Sequence, residues 1–228
     1  MNDPLQLMQL VMWVIPIAVV LFVFSWRSGR AWNFILAGYA MACLRVNWKF
    51  LPGYEASLGF EAMRYWVGIG AIVIITLGFM DFFVGTLTME NERAERGPFA
   101  LAAGVLAMGA VYLWMSPPVT HEFITCMRNS EDIVWVIFSF ITIATIVRIR
   151  RSMEGMPLYT GFRMLAAVFC MIILWRGIGF QLRAFEFEAM APDVYESWHT
   201  VQEALEALVG LGFGGAFTYI LVRLKVSG

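Results

Sequence analysis

Phe60-Glu61-Ala62-Met63 recurs as Phe187-Glu188-Ala189-Met190, and upstream at unchanged spacing Cys43, Trp48 and Lys49 recur as Cys170, Trp175 and Arg176. Working outward, Trp13-Val14-Ile15 recurs as Trp135-Val136-Ile137. Leu77-Gly78-Phe79 with Phe83 recurs as Leu211-Gly212-Phe213 with Phe217. The separation between copies lengthens slowly and in order, as it does when two copies gain a few residues in their loops. A shared tripeptide carries little weight alone in so apolar a chain. Collinear blocks falling in corresponding apolar segments indicate an internal repeat, and the repeat sets the expected architecture.

With 228 residues, 60% hydrophobic and 14% charged, the chain has too little polar surface to cover an ordinary soluble domain. Apolar runs long enough to cross a hydrocarbon core of roughly 30 Å lie near 5–24, 31–50, 65–87, 98–115, 132–149, 161–181 and 200–222. Long unbroken runs satisfy their own backbone hydrogen bonds as helices, whereas a barrel would alternate. The expected fold is therefore an all-α integral membrane protein with seven transmembrane helices. The first run has no basic leader and no small-residue cleavage site, and it carries one copy of the repeated Trp-Val-Ile. It reads as a span rather than a cleaved signal.

The loops alternate in charge. Arg27 and Arg30 follow the first run, and Arg93 and Arg96 follow the third. Arg148, Arg150, Arg151 and Arg163 separate the fifth and sixth, and Arg223 and Lys225 follow the seventh. The positive-inside rule then puts the amino terminus outside and the carboxyl terminus inside. The net charge of −1 conceals this asymmetry. Short loops and the basic inner face suit a plasma membrane, and a bacterial inner membrane is the expected location of this multi-pass chain. No basic stripe or soluble nucleic-acid module is present, which argues against nucleic acid as a partner.

The first three runs correspond to the last three, and the fourth connects them. One connecting helix restores the orientation of the second copy, so the copies are expected to be parallel three-helix repeats in a 3+1+3 plan. The whole chain, 1–228, is expected to be one membrane domain: 1–90 repeat one, 91–130 the connector helix and its flanking loops, and 131–228 repeat two. The plan resembles that of the sugar-transporting SWEET and PQ-loop proteins. The resemblance is one of layout: the Pro-Gln dipeptide is absent, Pro16 is matched by Phe138, and no functional residue is carried over. Ala103 with Ala107, and Gly210 with Gly214, are spaced for close helix packing. The glycines around Gly210 follow no strand, so they do not form a nucleotide loop.

Ionisable residues within membrane spans are costly and are the first candidates for function. They concentrate toward the outer face. The second run carries Arg45, Asn47 and Lys49, and the sixth carries Arg176, Gln181 and Arg183. His199, Glu203 and Glu206 open the seventh. Lys49 and Arg176 are repeat equivalents, each directly after a Trp. One reading makes Arg45, Trp48-Lys49, Trp175-Arg176, Glu203 and Glu206 the lining of a solute site on the repeat axis, open toward the outer face. Cations beside indole rings suit an anionic or ring-bearing solute. The other reading makes Trp48-Lys49 and Trp175-Arg176 interface anchors, with indoles at headgroup level and cations reaching outward. Arg45 and Arg176 lie deeper, where anchoring explains them less well.

His199, Glu203 and Glu206 share a helix face. The nearby Arg176 and Arg183 offer them ion-pair partners, a better account than a metal site in a chain with two histidines. Asp81 lies inside the third run, about 9 Å from its inner end by helical rise. It is a candidate proton-coupling group, with pairing to Arg93 or Arg96 as the alternative. Cys43 and Cys170 read as buried small apolar residues without a disulfide pattern. Only Lys49 and Lys225 could carry a Schiff base, and Lys225 follows the last run, which argues against a retinal protein. No nucleophile motif, phosphate loop or multi-histidine cluster points to an enzyme, a metal or a cofactor. The expected role is a transporter or binding protein for a small polar or anionic solute. The alternative is a non-catalytic membrane subunit or sensor module that acts through a partner protein.

Overall fold

The computed structural model describes residues 11, 13, 30–50, 57–88, 104–111, 119–156 and 158–226. Every regular element among them is helical: α1 (Arg30–Val46), a 3-10 turn (Asn47–Phe50), α2 (Leu58–Thr88), α3 (His121–Ser152), α4 (Tyr159–Ala184), the single turn α5 (Phe187–Met190) and α6 (Pro192–Val226). Residues 104–111 are helical as well. The apolar runs at 31–50, 65–87, 132–149, 161–181 and 200–222 fall on these helices. The runs at 5–24 and 98–115 lie largely outside the described residues.

The helix starts follow local chemistry. Ser57 and Thr120 precede α2 and α3, and their hydroxyl oxygens accept from the backbone N–H of Phe60 and Phe123, each at 3.2 Å. Glu61 and Glu122 add negative charge in the first turns, where the helix dipole favours it. Pro192 opens α6 at the position where its missing N–H costs nothing. Both α3 and α6 begin well before their apolar runs, because no residue there breaks the helix. At 32 and 35 residues they reach about 48 and 52 Å.

Among the described residues, three helices are long and apolar enough to cross a membrane: Leu58–Gly85, His121–Ser152 and Tyr159–Ala184. Exposed apolar residues recur on the long helices at helical spacing. Leu77, Met80 and Val84 mark one face of α2, and Ile133, Ile137, Phe140 and Ile141 one face of α3. Val201, Leu208, Leu211 and Val222 do the same on α6. Water would penalise such stripes and lipid accepts them, so the helices are built for contact with a bilayer.

The chain divides into two compact units, one of Phe24–Val134 and one of Met1–Val23 with Trp135–Gly228. The division falls inside α3.

In the 24–134 unit, α1 and α2 run antiparallel. Trp32 meets Phe82 edge to face at 5.4 Å near one end, while Gly38 faces Ala71 and Ile75 further along. Gly78 faces Ile35, and together the two glycines let the backbones approach to a distance that a side chain would forbid. Trp66 donates from its indole to the Val105 carbonyl at 2.8 Å, tying 104–111 to α2. The first turns of α2 and α3 share a small core of Ala62, Tyr65 and Ile124, flanked by Leu58, Val119, Phe123 and Met127.

In the other unit, α4 and α6 are antiparallel: Gly161 meets Ile220, Gly212 meets Val168, and Gly179 meets Gln202. An aromatic core fills the pair. Phe213 stands edge to face with Phe169 at 5.6 Å, stacks on Phe217 at 5.8 Å and touches Trp13 at 6.3 Å. The Trp13 indole donates to the Glu206 carbonyl at 3.2 Å, and its ring lies over Gly210. At the α3–α4 turn the Arg150 guanidinium donates to the Tyr159 hydroxyl at 2.8 Å and stacks over its ring, while Gly155 takes φ +85°, a conformation that suits glycine.

Candidate functional site

Arg45 lies in the last turn of α1, with 6% of the residue exposed. Its partner comes from α3. The guanidinium donates from Nε to Oε1 of Glu131 at 2.7 Å and from a terminal nitrogen to Oε2 at 2.9 Å. This is a two-pronged pair with Glu131 fully buried. Asp132, the next residue, is buried too. Two charges taken out of water attract strongly, but each has lost its hydration, so the pair holds only while both members remain.

Gly68 on α2 forms the floor of the pair. A Cβ there would land on the Glu131 carboxylate and come within 3.2 Å of the Arg45 side chain. Gly68→Ala is therefore expected to push the carboxylate out of the fork and destabilise the protein by about 1–3 kcal/mol. In a Glu131→Ala background the same substitution should cost much less, since the carboxylate it strikes is gone and only the Arg45 contact remains. A double-mutant cycle on unfolding free energies measures the difference.

The surroundings are polar on the side nearest the helix ends. Arg64 donates to the Arg45 carbonyl at 3.3 Å, and its guanidinium lies 5.9 Å from the Tyr65 ring centre. The Tyr65 hydroxyl donates to Glu61 at 3.1 Å. The charge of Arg128 also acts on Tyr65. Trp48 is buried, donates to the Phe60 carbonyl at 2.9 Å and packs on the Phe60 ring at 5.0 Å. Asn47 donates to the Cys43 carbonyl at 2.9 Å, while its own Oδ1 is buried and accepts no hydrogen bond among the described residues. The Lys49 side chain lies outside the described residues.

In the other unit Arg176 is 2% exposed. Its guanidinium carbon lies 4.2 Å from the Trp175 ring centre and 5.0 Å from that of Trp135. Cation–π contacts out of water contribute up to about 2 kcal/mol each, which offsets part of the cost of burying the charge. Glu203 and Glu206 are half-buried on α6, and it is the backbone carbonyl of Glu206 that receives Trp13. His199, on the same stretch, packs on Tyr195 at 5.6 Å.

Asp81 pairs with Arg30: the guanidinium donates to the two carboxylate oxygens at 3.0 and 2.5 Å. The alternative partners Arg93 and Arg96 lie outside the described residues. The Arg30 side chain opens α1 and is 42% exposed, and where water reaches such a pair its net worth is small. Asp81→Asn is expected to change stability by less than about 1 kcal/mol, as read by thermal unfolding of the purified protein. Cys43 is buried as its place in an apolar run suggests, whereas Cys170 faces outward from α4.

Structure thus joins Arg45 to Glu131 and Gly68 in one unit, and Arg176 to Trp135 and Trp175 in the other. Sequence reasoning overlooked Glu131. The available signal was an acidic pair, Glu131-Asp132, at the start of the fifth apolar run, with Arg45 still lacking a counter-charge. What these groups can do is hold a planar anion: a buried guanidinium fork fits a carboxylate, and a cation between indoles fits an anion with a ring. Searches against protein families, curated proteins and solved structures match nothing.

Proposed function

We propose that the chain is a multi-pass membrane protein that binds or passes a small polar or anionic solute, with Arg45 and Arg176 as its cationic centres. The observation that carries this reading is the near-complete burial of two arginines, Arg45 against α2 and α3 and Arg176 on α4, helices long and apolar enough to cross a membrane. Intramembrane charge is costly and, when present, usually serves a solute, an ion or a partner charge. The 3+1+3 parallel repeat belongs to the same reading. It is supported by the matching behaviour of Leu77-Gly78-Phe79 and Leu211-Gly212-Phe213. In both, the leucine is exposed, the glycine meets the paired helix and the phenylalanine is buried. The basic loops favour an outside amino terminus in a plasma membrane, the bacterial inner membrane by preference.

A thermal-shift panel of anionic, neutral and cationic metabolites, run on wild type beside Arg176→Gln, tests the proposal. A saturable shift for an anionic compound that the variant loses is the expected result. A well-folded preparation that responds to nothing would instead favour a subunit or sensor acting through a partner. One feature speaks for that second reading: Phe185, Met190, Val194 and Trp198 are exposed among Glu186, Glu188, Asp193 and Glu196, from the end of α4 across α5 to the start of α6. Capture of a specific membrane partner, lost on Trp198→Ser, would support it.

A further inference from the structure

The geometry points to Glu131 as an exchangeable counter-ion. We propose that the solute group taken by Arg45 is a carboxylate, and that it binds by displacing the Glu131 carboxylate, which leaves the guanidinium fork carrying a proton. The inference rests on the solute-binding reading above and names the class of solute.

Three observations lead to it. The pair is two-pronged, 2.7 and 2.9 Å, and such a fork is selective for the planar, two-oxygen shape of a carboxylate. A free carboxylate would reproduce both of these hydrogen bonds. Secondly, Glu131 is fully buried and Arg45 nearly so, a setting in which apolar side chains of similar volume usually give equal or greater stability. Packing alone therefore does not call for an ion pair here. Thirdly, the floor of the pair is Gly68, whose missing side chain makes the room in which the carboxylate sits.

Charge balance then fixes the proton. One buried guanidinium cannot neutralise two carboxylates, and like charges forced together drive one of them to protonate. The exchange takes up one proton from solvent: ionised Glu131 becomes the neutral acid, the incoming carboxylate stays ionised on Arg45, and no covalent bond other than the new O–H is made. Among the described residues, the charged and titratable groups around it include Glu61, Arg64 and Tyr65 on α2 and Arg128 and Asp132 on α3. Arg64 holds the Arg45 carbonyl, so the backbone beneath the fork stays in place while its occupant changes.

Benzoate is the probe, with chloride and inorganic phosphate as controls, titrated into the full-length protein in mild detergent from pH 5.5 to 8. Expected for wild type is a Kd that weakens about tenfold per pH unit where Glu131 is ionised, with one proton taken up per benzoate bound. Glu131→Gln, which mimics the protonated acid, should bind benzoate at least about tenfold tighter at pH 7.5 and without proton uptake. Adding Arg45→Gln should remove binding. If Glu131→Gln does not fold, the wild-type pH series and proton count decide alone. Benzoate binding without pH dependence or proton uptake overturns the exchange, as does no benzoate binding at any pH. Should wild type bind another solute of the metabolite panel indifferently to pH and to Glu131, the exchange fails and the solute-binding reading stands. A protein that binds nothing at all fails both.

Discussion

Arg45→Met is expected to destabilise the protein by about 3–5 kcal/mol, whereas Arg45→Met combined with Glu131→Leu is expected to be as stable as wild type or more so. The asymmetry comes from desolvation. Arg45 and Glu131 are buried against each other, so removing the guanidinium leaves a buried carboxylate without the fork that neutralises it. Removing both charges abolishes the cost along with the attraction. Equilibrium unfolding of the wild type, the two single variants and the double variant gives the coupling directly. A single variant that loses less than about 1 kcal/mol would mean that water reaches the pair, contrary to the burial described. The double variant is also a folded background in which carboxylate binding should be absent.

The second large effect is expected at the α1–α2 contact. Gly38→Val should cost about 2–3 kcal/mol, because overfilling a packed contact forces its neighbours to shift. Here the neighbours cannot shift easily. A Cβ at Gly38 would stand 2.8 Å from the Ala71 carbonyl oxygen and 2.8 Å from the Ile75 backbone nitrogen. These are main-chain atoms of α2, so relief requires the whole helix to move. Gly177→Ala on α4 is the matched control. Nothing lies within 4 Å of a Cβ there, and the gain in helix propensity should stabilise by about 0.5–1 kcal/mol. Thermal unfolding of the two variants side by side separates close packing from propensity. Equal effects would remove the claim that Gly38 sets the helix separation.

Much of the helical content was legible in the sequence, and the reason is solvent chemistry. A run such as Ala71–Phe79 carries one polar side chain, Thr76, whose hydroxyl turns back to the Ile72 carbonyl, so only a helix buried in lipid or protein satisfies its backbone. The helix ends were less legible. α3 starts at His121 and α6 at Pro192, before their apolar runs, because polar residues continue a helix as readily as apolar ones do. For the site, Arg45 and Arg176 stood out as charges in apolar surroundings. Their partners did not, since Glu131 is 86 positions from Arg45 and Trp135 is far from Arg176 in the chain. Asp81 shows the same gap, since its partner Arg30 is 51 positions away in the chain. Cys170 faces outward while Cys43 is buried, which the shared sequence block does not foretell.

What each segment costs to place in water or lipid can be read from composition and period: helices, apolar faces that suit a bilayer, and arginines set within apolar runs. These follow from local composition and period, because solvation energy belongs to a residue and its immediate neighbours. Only the tertiary structure decided which charge answers which, that Gly68 floors the Arg45–Glu131 pair, and that Arg176 stacks on two indoles. Those choices depend on which helices lie side by side and on their rotation, and contacts between residues distant in the chain are fixed by the packing of whole faces rather than by any one segment.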